Sequence, residues 1–432
     1  MEKINTGTIS GFMELLPAEQ ILFDKMMAVI RKNYASFGFI PLDTPILERT
    51  EVLLAKAGGE TEQQIYSFTK GKTNYSMRFD HTVPLARYVA DKYGSLTFPF
   101  KRSAIGKVYR GERPQAGRFR EFYQADIDII GNEKLDLYFD AEIPSIIAQI
   151  FKDLGFNNFL IRVNNRKIFN GLFAGLNIQD SSVKIMQSID KIEKIGFKAV
   201  KTEIEEIIES EKVEKIFNFL NLQDDNSDII SGLRNLGIRN EEFNSGVDEL
   251  EKVVQLMVQL GVSQDNFTID LTIARGLDYY TGTVFETQLS DYPDIGSVCS
   301  GGRYDNLASE YTNRKLPGVG ISIGLSRLFD QLLKKNVITT KESTLTRVLV
   351  LLMSDDIKHG LELATKLRND GISVEVSYNS TDSMKKRLGY ADKLGIPYAV
   401  FVGDNEVKGG YYTLKNLETG EQEELSLKDF DL

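Results

Sequence analysis

Gly106-Lys-Val-Tyr-Arg110-Gly-Glu112-Arg113-Pro-Gln115-Ala-Gly-Arg118-Phe-Arg120-Glu-Phe-Tyr-Gln124-Ala-Asp-Ile-Asp128 is the stretch whose reading decides the fold. Residues 104–109 are β-prone, and residues 119–129 alternate Phe, Tyr, Ala and Ile with Arg, Glu, Gln and Asp at the period of a half-buried strand. Gly111, Pro114 and Gly117 lie between them, so the stretch predicts a long antiparallel hairpin with a turn-rich loop. Side chains two and four apart share a strand face, which puts Gln124 and Asp128 together. Residues 98–121 carry seven cations (Lys101, Arg102, Lys107, Arg110, Arg113, Arg118 and Arg120) against Glu112 and Glu121, in a chain of net charge −10. A basic loop at the mouth and polar groups on the floor predict a site for a phosphorylated ligand plus a small polar one; a solvated hairpin with scattered charges is the bland alternative.

Length and composition bound the rest. The chain has 432 residues and 42% hydrophobic content, which predicts two or three domains with ordinary packed cores. A lone cysteine, Cys299, excludes a disulfide framework, and His81 and His359 lie too far apart for a Cys/His zinc pattern. No apolar run reaches membrane-spanning length and residues 1–10 lack the pattern of a signal peptide, so a cytoplasmic protein without a membrane partner or a protein-ligated metal is expected. The acidic balance argues against a general nucleic-acid binder but leaves room for a local basic patch. Residues 347–432 hold 11 basic and 15 acidic side chains, so any RNA contact there needs a confined face.

The pattern Val108-Tyr-Arg110-Gly-Glu112-Arg113-Pro, followed by Gly117-Arg118-Phe-Arg120-Glu-Phe-Tyr-Gln124, resembles motif 2 of class II aminoacyl-tRNA synthetases in its histidyl form. Three further blocks, in order, are similar to the same family: Arg275-Gly-Leu-Asp278-Tyr279-Tyr280, Ser300-Gly301-Gly302-Arg303-Tyr304-Asp305, and Gly318-Val-Gly320-Ile-Ser-Ile-Gly324-Leu-Ser-Arg327, which looks like motif 3. Read alone, the last glycine spacing is a weak dinucleotide signal, but it lacks the Gly-x-Gly-x-x-Gly arrangement. Residues 159–168 resemble the eukaryotic and archaeal branch of the histidyl family, as do the short carboxylates Asp80 and Asp128 where many members carry glutamate.

The resemblance implies an α/β protein. A catalytic domain with a mixed, mainly antiparallel sheet flanked by helices spans residues 1–335, interrupted by a helical insertion at about 167–262. Residues 336–346 are a polar linker, and residues 347–432, where strands alternate with helices, form an α/β domain of anticodon-binding type. The implied activity is ATP-dependent, AMP-forming histidine–tRNA ligation by a homodimer, with L-histidine, ATP (with Mg²⁺) and tRNA(His) as partners. By motif position Arg110 faces the α-phosphate, Arg327 the γ-phosphate and Glu112 the adenine side. By resemblance Arg275 is the extra arginine of the family, between α-phosphate and substrate carboxylate, with a structural ion pair to Asp278 as the bland alternative.

Histidine is implied to lie among Asp80, Thr82, Gln124, Asp128, Tyr279, Tyr280 and Tyr304. Helix capping by Asp80 or Thr82 is compatible with that role, and His81 between them is expected at the surface. Arg113, Gln115, Arg118 and Arg120 are candidates for the tRNA acceptor end. In the C-terminal domain Lys385-Lys386-Arg387 is the best basic spot, set against a plain solvated helix face. A non-catalytic alternative is the histidine-sensing regulatory subunit of ATP phosphoribosyltransferase, which typically lacks the C-terminal domain and the phosphate-binding arginines. Residues 38–48 read as an edge strand interrupted by Pro41 and Pro45, which matches motif 1 and, by resemblance, a dimer interface.

Overall fold

The computed structural model describes residues 4–55, 60–115, 117–222, 225–273, 279–340, 342–355, 357–378 and 382–430. The chain divides into two compact units, Met1–Met13 with Met27–Val337 and Glu14–Met26 with Ile338–Leu432. Strands of the first unit are β1 (Ile40–Pro41), β2 (Leu47–Arg49), β3 (Ser67–Lys70), β4 (Thr73–Met77), β5 (Phe100–Tyr109), β6 (Glu121–Ile130), β7 (Phe159–Asn165), β8 (Phe267–Ile269), β9 (Thr283–Leu289), β10 (Cys299–Tyr304) and β11 (Gly318–Ile323). Eight of them form one sheet in the order β1-β5-β6-β11-β10-β9-β7-β8, and β2-β4-β3 form a small sheet of their own. Pairing in the large sheet is antiparallel except at its two edges, β1 with β5 and β7 with β8.

The predicted hairpin is the spine of this sheet, in register from Phe100 opposite Ile130 to Tyr109 opposite Glu121. Ala125, Ile127 and Ile129 point to one side and are fully buried. In the helix Tyr138–Asp153, Ile143, Ile146, Ile147, Ile150 and Phe151 recur at helical spacing and are fully buried. Each such side chain contributes about 1.5–3 kcal/mol through removal from water. The opposite side of β6, with Gln124, Asp126 and Asp128, is left to line a cleft.

The strand expected over residues 38–48 is shorter than its pattern. Residues 38–48 give β1 and β2 in two different sheets, because prolines cannot donate to a ladder and the chain leaves each sheet near one. β8 stops at Ile269, and just beyond it Asp270 Oδ1 accepts from the amide and hydroxyl of Thr272 at 2.8 and 2.6 Å, a local turn that competes with strand pairing. Among the described residues between β7 and β8 lie six α-helices of the insertion, Arg166–Gly175, Ser182–Ile189, Ile192–Glu205, Ser210–Leu220, Asn226–Asn235 and Glu241–Gln259, with Ile185, Ile189, Val247, Leu250, Val253 and Met257 buried at spacings of three and four.

The second unit has its own sheet, β12 (Val348–Leu352), β13 (Val374–Ser377), β14 (Tyr398–Val402), β15 (Tyr412–Asn416) and β16 (Gln422–Leu425), in the order β13-β12-β14-β15-β16. The first three are parallel and a hairpin closes the edge. Val348 and Val350 face Leu363 and Leu367 of the helix Lys358–Asn369, while Leu349 and Leu351 face Ala391 of the helix Met384–Leu394. Of the basic spot 385–387, Arg387 is withdrawn: it is buried and donates to the carbonyls of Leu352 and Ser377. Lys386 is paired with Asp382 at 2.5 Å.

Candidate active site

The cleft has a floor and a mouth. The floor cavity, about 390 Å³, is lined by Asp80, Thr82, Gln124, Asp126, Asp128, Tyr279, Tyr280 and Tyr304, and also by Arg110 and Arg327. The adjoining cavity, about 330 Å³, adds Gln64, Glu112, Arg118, Phe122 and Cys299 to the same two arginines and Gln124. Both sizes suit a small ligand. The hairpin, the start of the helix Thr82–Lys92, strands β10 and β11 and the helix Leu325–Lys334 supply most of these groups, while Tyr279 and Tyr280 precede β9 and Gln64 ends the helix Glu60–Gln64.

On the floor, Asp128 accepts from Tyr304 Oη at 2.6 Å and pairs with Arg102 Nη2 at 3.2 Å. Arg102 stands directly opposite Asp128 in the hairpin register and is 1% exposed. Its Nη2 also donates to the His81 carbonyl at 2.7 Å. Burial raises the Asp128 carboxyl above its ordinary range, against the opposing pull of Arg102 and Tyr304. Gly320, opposite Asp128 across β11, has no room for a side chain: a Cβ there would overlap Asp128 Oδ1. Gln124 donates to Ser322 Oγ at 3.0 Å.

Asp80 is buried, which raises its pKa, and its Oδ1 accepts from the Val83 amide at 3.0 Å. The capping role and the position in the cavity therefore coexist, as the sequence allowed. His81 is not at the surface: it is 1% exposed, and burial followed by the charges of Arg102 and Arg78 lowers its pKa to about 3. This neutral imidazole packs over Gly106, where a Cβ would meet Arg78 Nη2 at 2.7 Å and His81 Cε1 at 3.1 Å. Tyr279 and Tyr280 pack edge-to-face at 5.0 Å, and Tyr279 meets Tyr304 the same way at 5.8 Å.

At the mouth, the Arg110 guanidinium lies 4.3 Å from the Phe79 ring centroid and 5.2 Å from that of Phe122, an aromatic clamp that fixes its direction. Arg327 sits near the start of the helix Leu325–Lys334 and donates to the Ile295 carbonyl at 2.5 Å. Arg118 is exposed and 3.6 Å from Glu112. Arg113 and Gln115 are exposed on the hairpin loop.

Four of the seven cations counted from the sequence are already engaged by the protein. Lys101 pairs with Glu142, Arg102 with Asp128 and Lys107 with Glu121, while Arg120 donates to the carbonyls of Glu112 and Ser10. The basic face is narrower than the count suggested: Arg110, Arg113, Arg118 and, from motif 3, Arg327. Arg275, with Asp278, lies outside the described residues. Sequence reasoning passed over Arg102 as a floor residue, Asp126, and the Phe79–Arg110–Phe122 stack. For Asp126 the signal was present, since the period of two that joins Gln124 to Asp128 includes it.

Residues 11–328 match the family model described as histidyl-tRNA synthetase, and residues 347–431 match the anticodon binding domain. A histidine–tRNA ligase of Clostridium tetani is 55% identical over 99% of this chain and 97% of its own length. One from Finegoldia magna is 45% identical, over 99% and 98%. The crystal structure of a Nostoc histidyl-tRNA synthetase superposes with a TM-score of 0.89 at 41% identity, covering 98% of this chain and 97% of that one. A Bacillus halodurans structure titled as an ATP phosphoribosyltransferase regulatory subunit/histidyl-tRNA synthetase shares the fold at a TM-score of 0.76 and 20% identity, over 93% of this chain and 98% of its own.

Proposed function

The chain belongs to the histidyl-tRNA synthetase family and is an ATP-dependent histidine–tRNA ligase, and from that premise we propose that the floor of the cleft binds histidine while its mouth binds ATP. The observation that supports this division is that Asp80 and Asp128 line only one of the two adjoining cavities, whereas Arg110 and Arg327 line both.

The reaction joins two anions. The histidine carboxylate attacks the α-phosphorus of ATP, the bond to pyrophosphate breaks, and negative charge builds at phosphorus. Fixed cations answer that need best when they are already oriented. Arg110, clamped by Phe79 and Phe122, is assigned to the α-phosphate, and Arg327 to the γ-phosphate; a planar guanidinium donates two parallel bonds to phosphate and keeps its charge. Glu112 is assigned to the adenine side. Magnesium would enter on the nucleotide's phosphates, where it retains several waters. Arg275 is assigned, on its motif alone, to the α-phosphate and the substrate carboxylate.

For histidine, Asp80 and Thr82 receive the ammonium group. Asp128, held by Tyr304 and Arg102, accepts from an imidazole N–H, with Gln124, Tyr279 and Tyr280 around it. A buried site that hydrogen-bonds a polar side chain rejects analogues lacking it by about 10⁴ or more, so recognition needs no separate editing step. In the second step a terminal ribose hydroxyl of tRNA attacks the adenylate carbonyl and AMP leaves. Arg113, Gln115 and Arg118 are assigned to the acceptor end; Arg120, held by backbone carbonyls, supports the loop.

The domain limits 1–335 and 347–432, tRNA binding by the second of these, a cytoplasmic location and a homodimer are part of the same proposal. Ile40 on the edge strand β1, together with Ile46, Leu47 and Phe68, exposes apolar surface that supports pairing with a second copy. Among the described residues no helix is long and apolar enough to cross a membrane. Histidine-dependent exchange of pyrophosphate into ATP tests the reading. Robust exchange with histidine and none with other amino acids is expected; binding of histidine without exchange would return the chain to a sensing role.

A further inference from the structure

One group on the floor has no assignment. Asp126 lies between Gln124 and Asp128 on the cleft side of β6, lines the same cavity, and is 3% exposed. Ser322, directly opposite it on β11, supplies its hydrogen bond, and Oδ1 has no hydrogen-bond partner among the described residues. Arg102, whose charge also acts on Asp126, makes its ion pair with Asp128 through Nη2. An unpartnered, buried carboxyl oxygen in a ligand cavity is costly unless a ligand or a proton satisfies it.

Resting on the histidine reading of this cavity, we propose that Asp126 is a specificity-determining residue that shares one proton with the second ring nitrogen of the substrate. Asp128 accepts from one imidazole N–H, and Asp126 meets the other nitrogen. A protonated Asp126 donates to a bare ring nitrogen; after transfer of that proton the same contact is an imidazolium N–H donating to a carboxylate. Only the O–H bond of Asp126 and the N–H bond of the ring change, and the complex holds the same single proton in both forms.

The surroundings favour this count. Burial is the largest influence on Asp126 and raises it to about 7, close to the ordinary value of imidazole near 6.5. Arg102 of β5 opposes the rise, whereas Asp128 on its own strand and Asp80 at the helix start add to it. Cys299 of β10, Tyr34 of the helix Pro17–Ser36, and Tyr280 also feel its charge, and each is raised by burial first. Two carboxylates two residues apart on one strand face therefore share a single buried arginine, with room for one proton between them and the ligand.

The test is the pH profile of kcat/KM for histidine in pyrophosphate exchange, for wild type and Asp126→Asn, with the KM for ATP and thermal melting alongside. Wild type is expected to follow a bell: activity falls in acid, where both enzyme and ring carry the proton, and falls about tenfold per pH unit above the Asp126 pKa, where neither does. Asparagine still donates but does not titrate, so Asp126→Asn should lose roughly tenfold at neutral pH and lack the alkaline limb. A merely structural Asp126 would leave the shape of the profile unaltered. A wild-type profile flat above pH 7, or an unchanged alkaline limb in the folded variant, overturns the proposal; absence of any histidine-dependent exchange by wild type would instead overturn the reading on which it rests.

Discussion

On the floor of the cleft the principal charges are already matched by the protein, Asp128 by Tyr304 and Arg102, and Asp80 by the Val83 amide. At the mouth Arg110 is held by aromatic faces, with one long contact to the Phe79 carbonyl at 3.4 Å, so its charge is directed without being neutralised. The difference is one of solvent and purpose. A buried charge without a partner is costly, so Asp80 and Asp128 are given partners before a ligand arrives, with Asp126 the exception; a half-exposed arginine tolerates waiting for phosphate. Substitutions on the floor should therefore disturb both stability and histidine use, and those of Arg110 and Arg327 at the mouth should act on ATP.

The largest effect is expected from Arg102→Met, which strands Asp128 in the interior. Breaking a buried pair in this way costs about 3–5 kcal/mol. Asp128 can relieve the cost by taking a proton, since burial already raises its pKa and Arg102 is the first influence that lowers it. A group whose folded pKa is raised gives stability in acid that is lost as pH rises through that value. The variant's melting temperature should thus lie nearest wild type below pH 4 and fall progressively behind towards neutrality; a constant deficit at all pH values would mean that the pair is not what is lost.

Arg275→Ala comes next, as the residue proposed to span the two regions. Loss of a preorganised charge at a developing anion typically costs about 10²–10³ in turnover. Turnover should fall more than either KM rises, and Arg275→Lys, which keeps charge without the fork, should recover only part. A few-fold change, or a loss explained by melting, would make Arg275 structural. Smallest is Arg118→Ala: its pair with Glu112 is half-exposed, so stability should change by no more than about 1 kcal/mol, and only tRNA charging should slow.

Much of this was legible in the sequence for identifiable reasons. The period of two from 119 to 129 and the Gly/Pro loop before it specify the hairpin locally, and the hairpin sets which faces line the cleft. Charge was less legible, because composition counts cations without saying where they point. Lys101, Arg102 and Lys107 lie on β5, and cross-strand or helix partners claimed all three. Arg387 shows the same failure in the second unit, where two backbone carbonyls took a residue that sequence offered to RNA. His81 was misjudged because its burial depends on the close approach of Gly106, a contact between residues 25 apart in the chain.

The division between floor and mouth is tested most directly by a pair of substitutions assayed in histidine-dependent pyrophosphate exchange, Asp128→Asn and Arg110→Ala, with KM measured for both substrates. Asp128→Asn removes a charge-assisted acceptor worth roughly 1.5–3 kcal/mol, so kcat/KM for histidine should fall by at least about tenfold while the KM for ATP stays within about twofold. Arg110→Ala should show the opposite preference, with ATP use and turnover impaired and the KM for histidine little changed. If both variants shift the same substrate, or if each shifts the two substrates equally, the cleft is not divided as described.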